Sequence, residues 1–341
     1  MAERATGGAG KGDMARSLLR WDVTVAGLLA AVLVYGFLAV GNFGTTVNLS
    51  FLLGNTVMVA VVALPMTLLV VAGEVDLSVG STAGLSGAVM GALWNDNWPI
   101  EYVIPFCVLV GAAGGLLNGL LVTRLGLPSL AVTIGTLAAY RGVAQIVLGA
   151  NAVTDFPQNY LNFGAGRIGG TAVPYTFALY AALLVIAAVV LHATPVGRAL
   201  YAIGANREAA FFAGIRVKRL KLAMFTATGA VAGLAGVLWS LHYASARYDN
   251  ATGLELSVIA AVLLGGVDFD GGKGTLGGAV AGVFLLGTLQ NLMSLADVSS
   301  QSQNVITGVL LVVSVLGPRV ARQLRDVLAR PPSPHLGRES P

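Results

Sequence analysis

Residues 23 to 73 carry no charged side chain. A single bilayer crossing needs roughly 20 apolar residues, so this run is too long for one span and too apolar for the core of a soluble domain. The chain therefore reads as an all-α polytopic membrane protein. Its 341 residues are 56% apolar and 11% charged, with a mean hydropathy of +0.79, and that balance excludes a single soluble domain. Apolar windows fall at about 23–40, 47–72, 77–94, 102–123, 127–149, 173–192, 222–243, 253–267, 275–295 and 303–317. They predict about ten transmembrane helices. The windows near 77, 253 and 303 are short for a hydrocarbon core of about 30 Å, so tilted, extended or discontinuous helices are expected there.

Lysine and arginine set the orientation. With the N-terminus inside, 17 of the 20 basic residues fall on cytoplasmic segments: the N-terminal tail, the turn near 124, residues 193–222, the turn near 273 and the C-terminal tail. Only Arg167 and Arg247 fall outside, and Arg141 falls within a span. The asymmetry predicts both termini in the cytoplasm. Residues 1–22 and 318–341 are expected to be disordered cytoplasmic tails around a membrane domain at 23–317. The run from Val23 to Val40 is longer than a usual signal-peptide core and lacks a clear small-x-small cleavage site, so it reads as a retained first helix.

Between two apolar runs lies the one long charged internal segment, residues 194–222. Asn206 can cap a short helix from Arg207 to Ala213, with Glu208 at its positive end and Gly214 able to take the left-handed stop. A helix that short is marginal alone and must be held by what it docks on. Phe211 and Phe212 are adjacent and cannot share a face, so at least one can anchor in a partner's pocket. These residues equally suit a short amphipathic turn resting on anionic headgroups.

Two Gly-rich stretches, 72–89 and 264–280, share Gly-x-Val-Asp at Gly73 to Asp76 and Gly265 to Asp268. A duplicated half and chance likeness both account for this. Both turns fall on the cytoplasmic side of the charge count, with re-entrant breaks at membrane depth as the alternative. Glu74, Asp76 and Arg141 are the ionisable groups nearest membrane depth and are functional candidates on that ground. Asp76 is expected mainly to cap a helix beginning near Leu77.

Enzyme chemistry finds little support. GGKG at 271–274 resembles a phosphate-binding loop, but Val267 stands where that loop needs Gly, and Gly274 where it needs Ser or Thr. An intramembrane aspartyl protease would use two carboxylates sharing a proton, yet Val267 replaces the second Gly of the required Gly-x-Gly-Asp. No His-Glu-x-x-His occurs, His192, His242 and His335 are scattered, and the lone Cys107 suggests no metal site. The net charge of +4 comes from basic residues at span edges, so no nucleic-acid partner is implied. Trp94, Asn95, Trp98, Tyr102, Tyr160, Tyr175, Tyr243 and Tyr248 fit an interfacial belt.

With those residues in view, the chain resembles bacterial sugar ABC-importer permeases of the ribose-type branch. Residues 72–81, AGEVDLSVGS, are similar to that family's Gly-Gly-Ile-Asp-Leu-Ser-Val-Gly signature. Residues 202–215, AIGANREAAFFAGI, resemble its cytoplasmic Ala-x-Gly-x-Asn-x-x-Ala-Ala loop, and residues 255–278 its Glu-Leu, Ile-Ala-Ala and Leu-Gly-Gly series. The likeness implies an ABC importer type II-like permease of the bacterial plasma membrane. It implies no cofactor on this chain, since ATP and Mg would sit on a separate ATPase subunit. An extracytoplasmic sugar-binding protein and a second permease copy or homologue are the other implied partners. Asn206, Glu208, Ala209, Ala210, Phe211, Phe212 and Gly214 would couple to the ATPase. Gly73, Glu74, Asp76, Ser78, Gly80, Gly265 and Gly266 would lie along the translocation path.

The sequence departs from the family pattern at Glu74, where a small residue is usual, and at Asp268 and Asp270. Residues 62–70 and 245–256 look most like permeases for rhamnose and for autoinducer-2. A branched-chain amino-acid permease is the nearest alternative, against which the Asp-Leu-Ser-Val-Gly segment argues. A secondary transporter or channel without any ATPase is another.

Overall fold

The computed structural model describes residues 21–328. Among them the chain forms thirteen α-helices: α1 (Trp21–Ala39), α2 (Thr46–Val71), α3 (Val79–Asn95), α4 (Ile100–Arg124), α5 (Ser129–Leu148), α6 (Gln158–Ala165), α7 (Tyr175–Ala188), α8 (Pro195–Ala205), α9 (Arg207–Phe212), α10 (Val217–His242), α11 (Leu254–Leu264), α12 (Leu276–Leu295) and α13 (Ser300–Leu328). A π-helical turn, Val189–Ala193, prolongs α7. Seven of these segments are long and apolar enough to cross a membrane: α1, α2, α4, α5, α7 with its π turn, α10 and α12.

The remaining three apolar windows are realised differently from full, regular spans. The window near 77 is the 17-residue α3, and the window near 253 is the 11-residue α11. The window near 303 lies in α13, which continues to Leu328. Two tail boundaries shift accordingly. Trp21 and Asp22 already belong to α1, because the Trp21 indole N–H donates to Leu264 O at 2.8 Å. Residues 318–328, expected to be disordered, continue α13; RVARQLRDVL is built mostly of good helix formers. The remaining tail residues, before 21 and after 328, lie outside the described part.

The centre of the bundle is α2, whose apolar window is 83% buried, whereas that of α1 is 11% buried. Thr45 caps α2 by accepting from Asn48 N at 3.2 Å, and α2 is straddled by α7, α10, α11 and α12. Its buried Val, Leu and Met side chains join the largest core cluster. Large apolar side chains on α1, α4, α5 and α7 instead point outward, as a lipid-facing surface requires.

Burial by itself does not hold helices together in lipid, so close backbone approach must contribute. The α4–α10 crossing is made of glycines. A Cβ on Gly111 would stand 2.7 Å from Gly233 Cα, and one on Gly229 would stand 2.7 Å from Gly115 Cα. Gly111 and Gly115, like Gly229 and Gly233, are four apart and therefore share a helix face.

The most irregular crossing follows α10. Ala246 pairs with Val153 through two backbone hydrogen bonds of 2.8 and 2.9 Å. The chain then runs back along α3. Ala246 lies against Gly91, the Tyr248 and Asn250 carbonyls against Gly84, and the Ala251 carbonyl against Gly80. At 1.5 Å per residue that descent covers about 16 Å of α3. Only then does α11 begin, so this segment is a run of turns in its first half and helical in its second.

Candidate functional site

The charged segment folds into two short helices and the start of α10. Thr194 opens α8 by accepting from Val196 N at 3.2 Å, with Pro195 in the first turn where its missing N–H costs nothing. Asn206 ends α8 and caps α9, its side-chain oxygen accepting from Ala209 N at 2.9 Å. Gly214 takes φ +83°, the left-handed stop, and Ile215 N donates back to Ala210 O at 3.1 Å. The helix ends at Phe212, with Ala213 as its cap, one residue short of the sequence-based boundary.

Ala210 faces inward, 3% exposed, and seats α9 on the body of the protein. Phe211 and Phe212 are 66% and 84% exposed. Their rings meet edge to face at 5.7 Å. With Glu208, Ile215, Arg216 and Arg219 they border a hollow of about 710 Å³ between α9 and the first turn of α10. A six-residue helix thus presents two uncovered aromatic rings beside both signs of charge.

The end of α8 is wedged into the membrane domain. A side chain on Gly204 would strike Val71 O and Gly272 N, and Gly272 N donates to Val71 O at 2.8 Å. A Cβ on Gly271 would stand 2.7 Å from Gly73 Cα. Tyr201 OH donates to Gly274 O at 2.8 Å. The structure therefore brings the charged segment, the 73–76 turn and the 268–274 loop to one junction.

The two Gly-x-Val-Asp turns are not alike in detail. Gly73 has φ +75°, whereas in the second copy the positive φ falls on Gly266, at +87°. Gly265 packs against Gly278 and Ala279 of α12, and Gly266 lies under the Trp21 ring. Those two glycines are thus engaged with α12 and α1 and sit apart from the Asp76 group. Asp268 N donates to Lys273 O at 3.1 Å, and the Asp268 carboxylate lies 4.0 Å from Lys273 Nζ. Asp76 has Ser78 and Asn118 as partners, so the two aspartates form no proton-sharing dyad.

Asp76 is 1% exposed, and its Oδ1 accepts from Ser78 N at 2.8 Å and Ser78 Oγ at 2.6 Å. The helix itself begins at Val79, with Ser78 in the capping position and no side-chain cap of its own. Asp76 therefore orders the turn leading into α3 without being its N-cap. Asn118 of α4 donates to Ser78 Oγ at 2.8 Å, and Tyr140 OH of α5 donates to Gly114 O at 2.9 Å and lies 3.3 Å from Asn118 Oδ1. Glu74 forms an ion pair with Lys221, and both residues are buried. Gly80 leaves room for the Glu255 carboxylate and for Ala251 O.

A family of transport proteins, described as the permease component of the branched-chain amino acid transport system, matches residues 48–315. The chain belongs to that permease family. The permease is 30% identical, over 91% of its length and 95% of the relative's, to the autoinducer 2 import system permease protein LsrD of Photorhabdus luminescens. It is 34% identical to the L-arabinose ABC transporter permease protein AraH of Azospirillum brasilense, over 85% of each chain. It is 32% identical to the LsrD protein of Escherichia coli K12, over 89% of its own length and 95% of the relative's. No solved structure matches the chain.

Several residues that organise the permease were not singled out from sequence. Lys221 counted only as a positive-inside charge, and nothing local marks it as the partner of Glu74, 147 positions away. Asn118 was findable as the lone amide within an apolar window. Arg141, a functional candidate by its place within an apolar window, donates to the Tyr248 and Asn250 carbonyls at 2.9 and 2.8 Å. It thereby satisfies backbone carbonyls of the turns between α10 and α11, away from any helix or sheet partner.

Proposed function

We propose that this chain is the membrane permease subunit of an ATP-driven ABC importer for a monosaccharide-class solute, such as rhamnose, a ribose-like sugar or autoinducer-2. Ten crossings with both termini cytoplasmic, as the charge asymmetry predicts, put α8 and α9 on the cytoplasmic side. There a separate ABC ATPase would grip Glu208, Phe211 and Phe212, while an extracytoplasmic sugar-binding protein delivers solute to the opposite face. A second copy or homologue would complete the pathway. The residues proposed for that pathway are Gly73, Glu74, Asp76, Ser78 and Gly80.

The observation that carries the reading is α9 itself. It is capped at both ends, uncovered on its aromatic face, and continuous through α8 with a glycine junction at the 73–76 turn. Closure of an ATPase pair would push α9, and the rigid junction would carry that push to α2 and α3, a two-state element biased by a ligand. Relatives whose names give autoinducer 2 and L-arabinose as cargo support a sugar-like solute. The family's own description keeps branched-chain amino acids as the second reading.

The test is co-expression with an ABC ATPase and a secreted binding protein encoded beside this chain. The expected result is a stable complex and ATP-dependent uptake of a labelled sugar into vesicles. Uptake by the permease alone, without ATPase, would remove the ABC reading. Uptake of leucine in place of any sugar would select the second one.

A further inference from the structure

A cavity of about 210 Å³ opens at the end of α10 opposite α9, where α2, α12, α13 and the start of α11 converge. Since α10 has 26 residues, the cavity and the coupling helix are separated by about 39 Å. Its floor is the junction at which the unwound crossing becomes helical, formed by Thr252 to Leu254 and Ser257. Among the described residues no Asp, Glu, Lys or Arg lines it. Amides, hydroxyls and an aromatic pair do, with Trp239 and Tyr243 rings 5.5 Å apart.

Thr56 shows that the cavity is a built site. Thr67, Thr123, Thr226 and Thr288 each donate their hydroxyl to the carbonyl one turn back, the usual solution for a hydroxyl in an apolar helix. The Thr56 hydroxyl makes no such bond among the described residues, although Thr56 is 3% exposed. It is turned toward Gly287 of α12, where any side chain would collide with it. Beside it, Asn55 accepts from Tyr243 OH at 3.1 Å and lies 3.1 Å from His242 Nε2. With its oxygen so engaged, the Asn55 N–H donors are left without a protein acceptor among the described residues. Ser257 Oγ is likewise uncommitted.

We infer that this cavity binds an uncharged polyhydroxylated molecule of monosaccharide size on its way through the permease. Uncommitted donors and acceptors beside an aromatic pair suit alternating hydroxyls and C–H faces. The absence of charged lining disfavours carboxylates and amino acids, whose charges would be desolvated without partners. The volume equals that of about seven waters and falls below the range of drug-sized pockets. The inference rests on the reading of this chain as a permease for a sugar-like solute.

The test is equilibrium binding of radiolabelled D-ribose, L-arabinose and L-rhamnose to the purified full chain in nanodiscs, with gluconate and leucine as charged comparators. Saturable binding of a neutral sugar is expected, with no displacement by either comparator. Thr56→Val is expected to weaken it about fivefold, the effect of one lost hydrogen bond, and Gly287→Leu to abolish it. Membrane amount and elution volume report folding; if Gly287→Leu fails to fold, Thr56→Val decides. No saturable sugar binding, equal displacement by gluconate or leucine, or binding indifferent to the folded variants overturns the inference. Vesicle uptake by the assembled complex separates this from the function itself. Uptake that survives both variants leaves the importer standing and removes the cavity, whereas sugar binding that follows the variants without any ATPase association does the reverse.

Discussion

The carboxylate of Glu74 and the ammonium of Lys221 pair inside the protein, joining the turn after α2 to the first part of α10. Glu74 is 8% exposed and Lys221 4%. Removing one partner strands a buried charge, which costs about 3–5 kcal/mol, whereas replacing both with apolar groups is often neutral. Glu74→Leu and Lys221→Met are therefore each expected to lower the thermal unfolding midpoint in detergent sharply. The double variant is expected to recover most of the loss. A double variant no better than the worse single one would show that the pair does not act as a unit.

The turns between α10 and α11 should depend on Arg141. Its guanidinium holds the Tyr248 and Asn250 carbonyls, and hydrogen bonds to a charged group contribute about 1.5–3 kcal/mol each. Arg141→Met is expected to loosen residues 246–253 and to raise their hydrogen-exchange rate selectively, leaving α2 protected. Uniform loss of protection across the bundle would instead make Arg141 a determinant of global stability.

How much of this was legible in the sequence depends on the range of the interaction. The α9 helix was readable because its determinants are local: Asn206, Ala209 and Gly214 lie within nine residues. The long apolar spans were equally plain, since composition alone makes them. The window near 253 was legible as short or discontinuous, but not how it is broken: the eleven residues of α11 follow a run of turns at 248–253 whose carbonyls are held by groups on other helices, namely Arg141 on α5 and the bare Gly80 and Gly84 on α3. Asp76 was read as the cap of a helix starting near Leu77, two residues before the observed start at Val79; its oxygen instead accepts from Ser78 and Asn118, and the latter is 42 residues away.

The α4–α10 crossing should tolerate no side chain. Gly229→Leu would drive atoms into Gly115, and Gly111→Leu into Gly233. Each is expected to abolish accumulation in the membrane, as measured by immunoblot of washed membranes. Gly135→Leu, where nothing lies within 4 Å of a Cβ, is the matched control and is expected to accumulate normally.

The proposed coupling helix α9 should fail differently. Phe211 and Phe212 pack edge to face on each other and are both more than 60% exposed, so truncating them removes little buried area from this chain. Phe211→Ala with Phe212→Ala is expected to leave membrane amount and unfolding midpoint unchanged while reducing ATPase co-purification at least tenfold. That corresponds to about 1.4 kcal/mol, a modest demand for two aromatic anchors at an interface. Glu208→Lys reverses a charge at the positive end of α9 and is expected to weaken both the helix and its docking. Gly214→Pro forbids the φ of +83° that ends the helix, so it should abolish uptake while the protein still reaches the membrane. Loss of the protein from the membrane in the double Phe variant would make α9 a folding element, and the ATPase would then have to grip elsewhere.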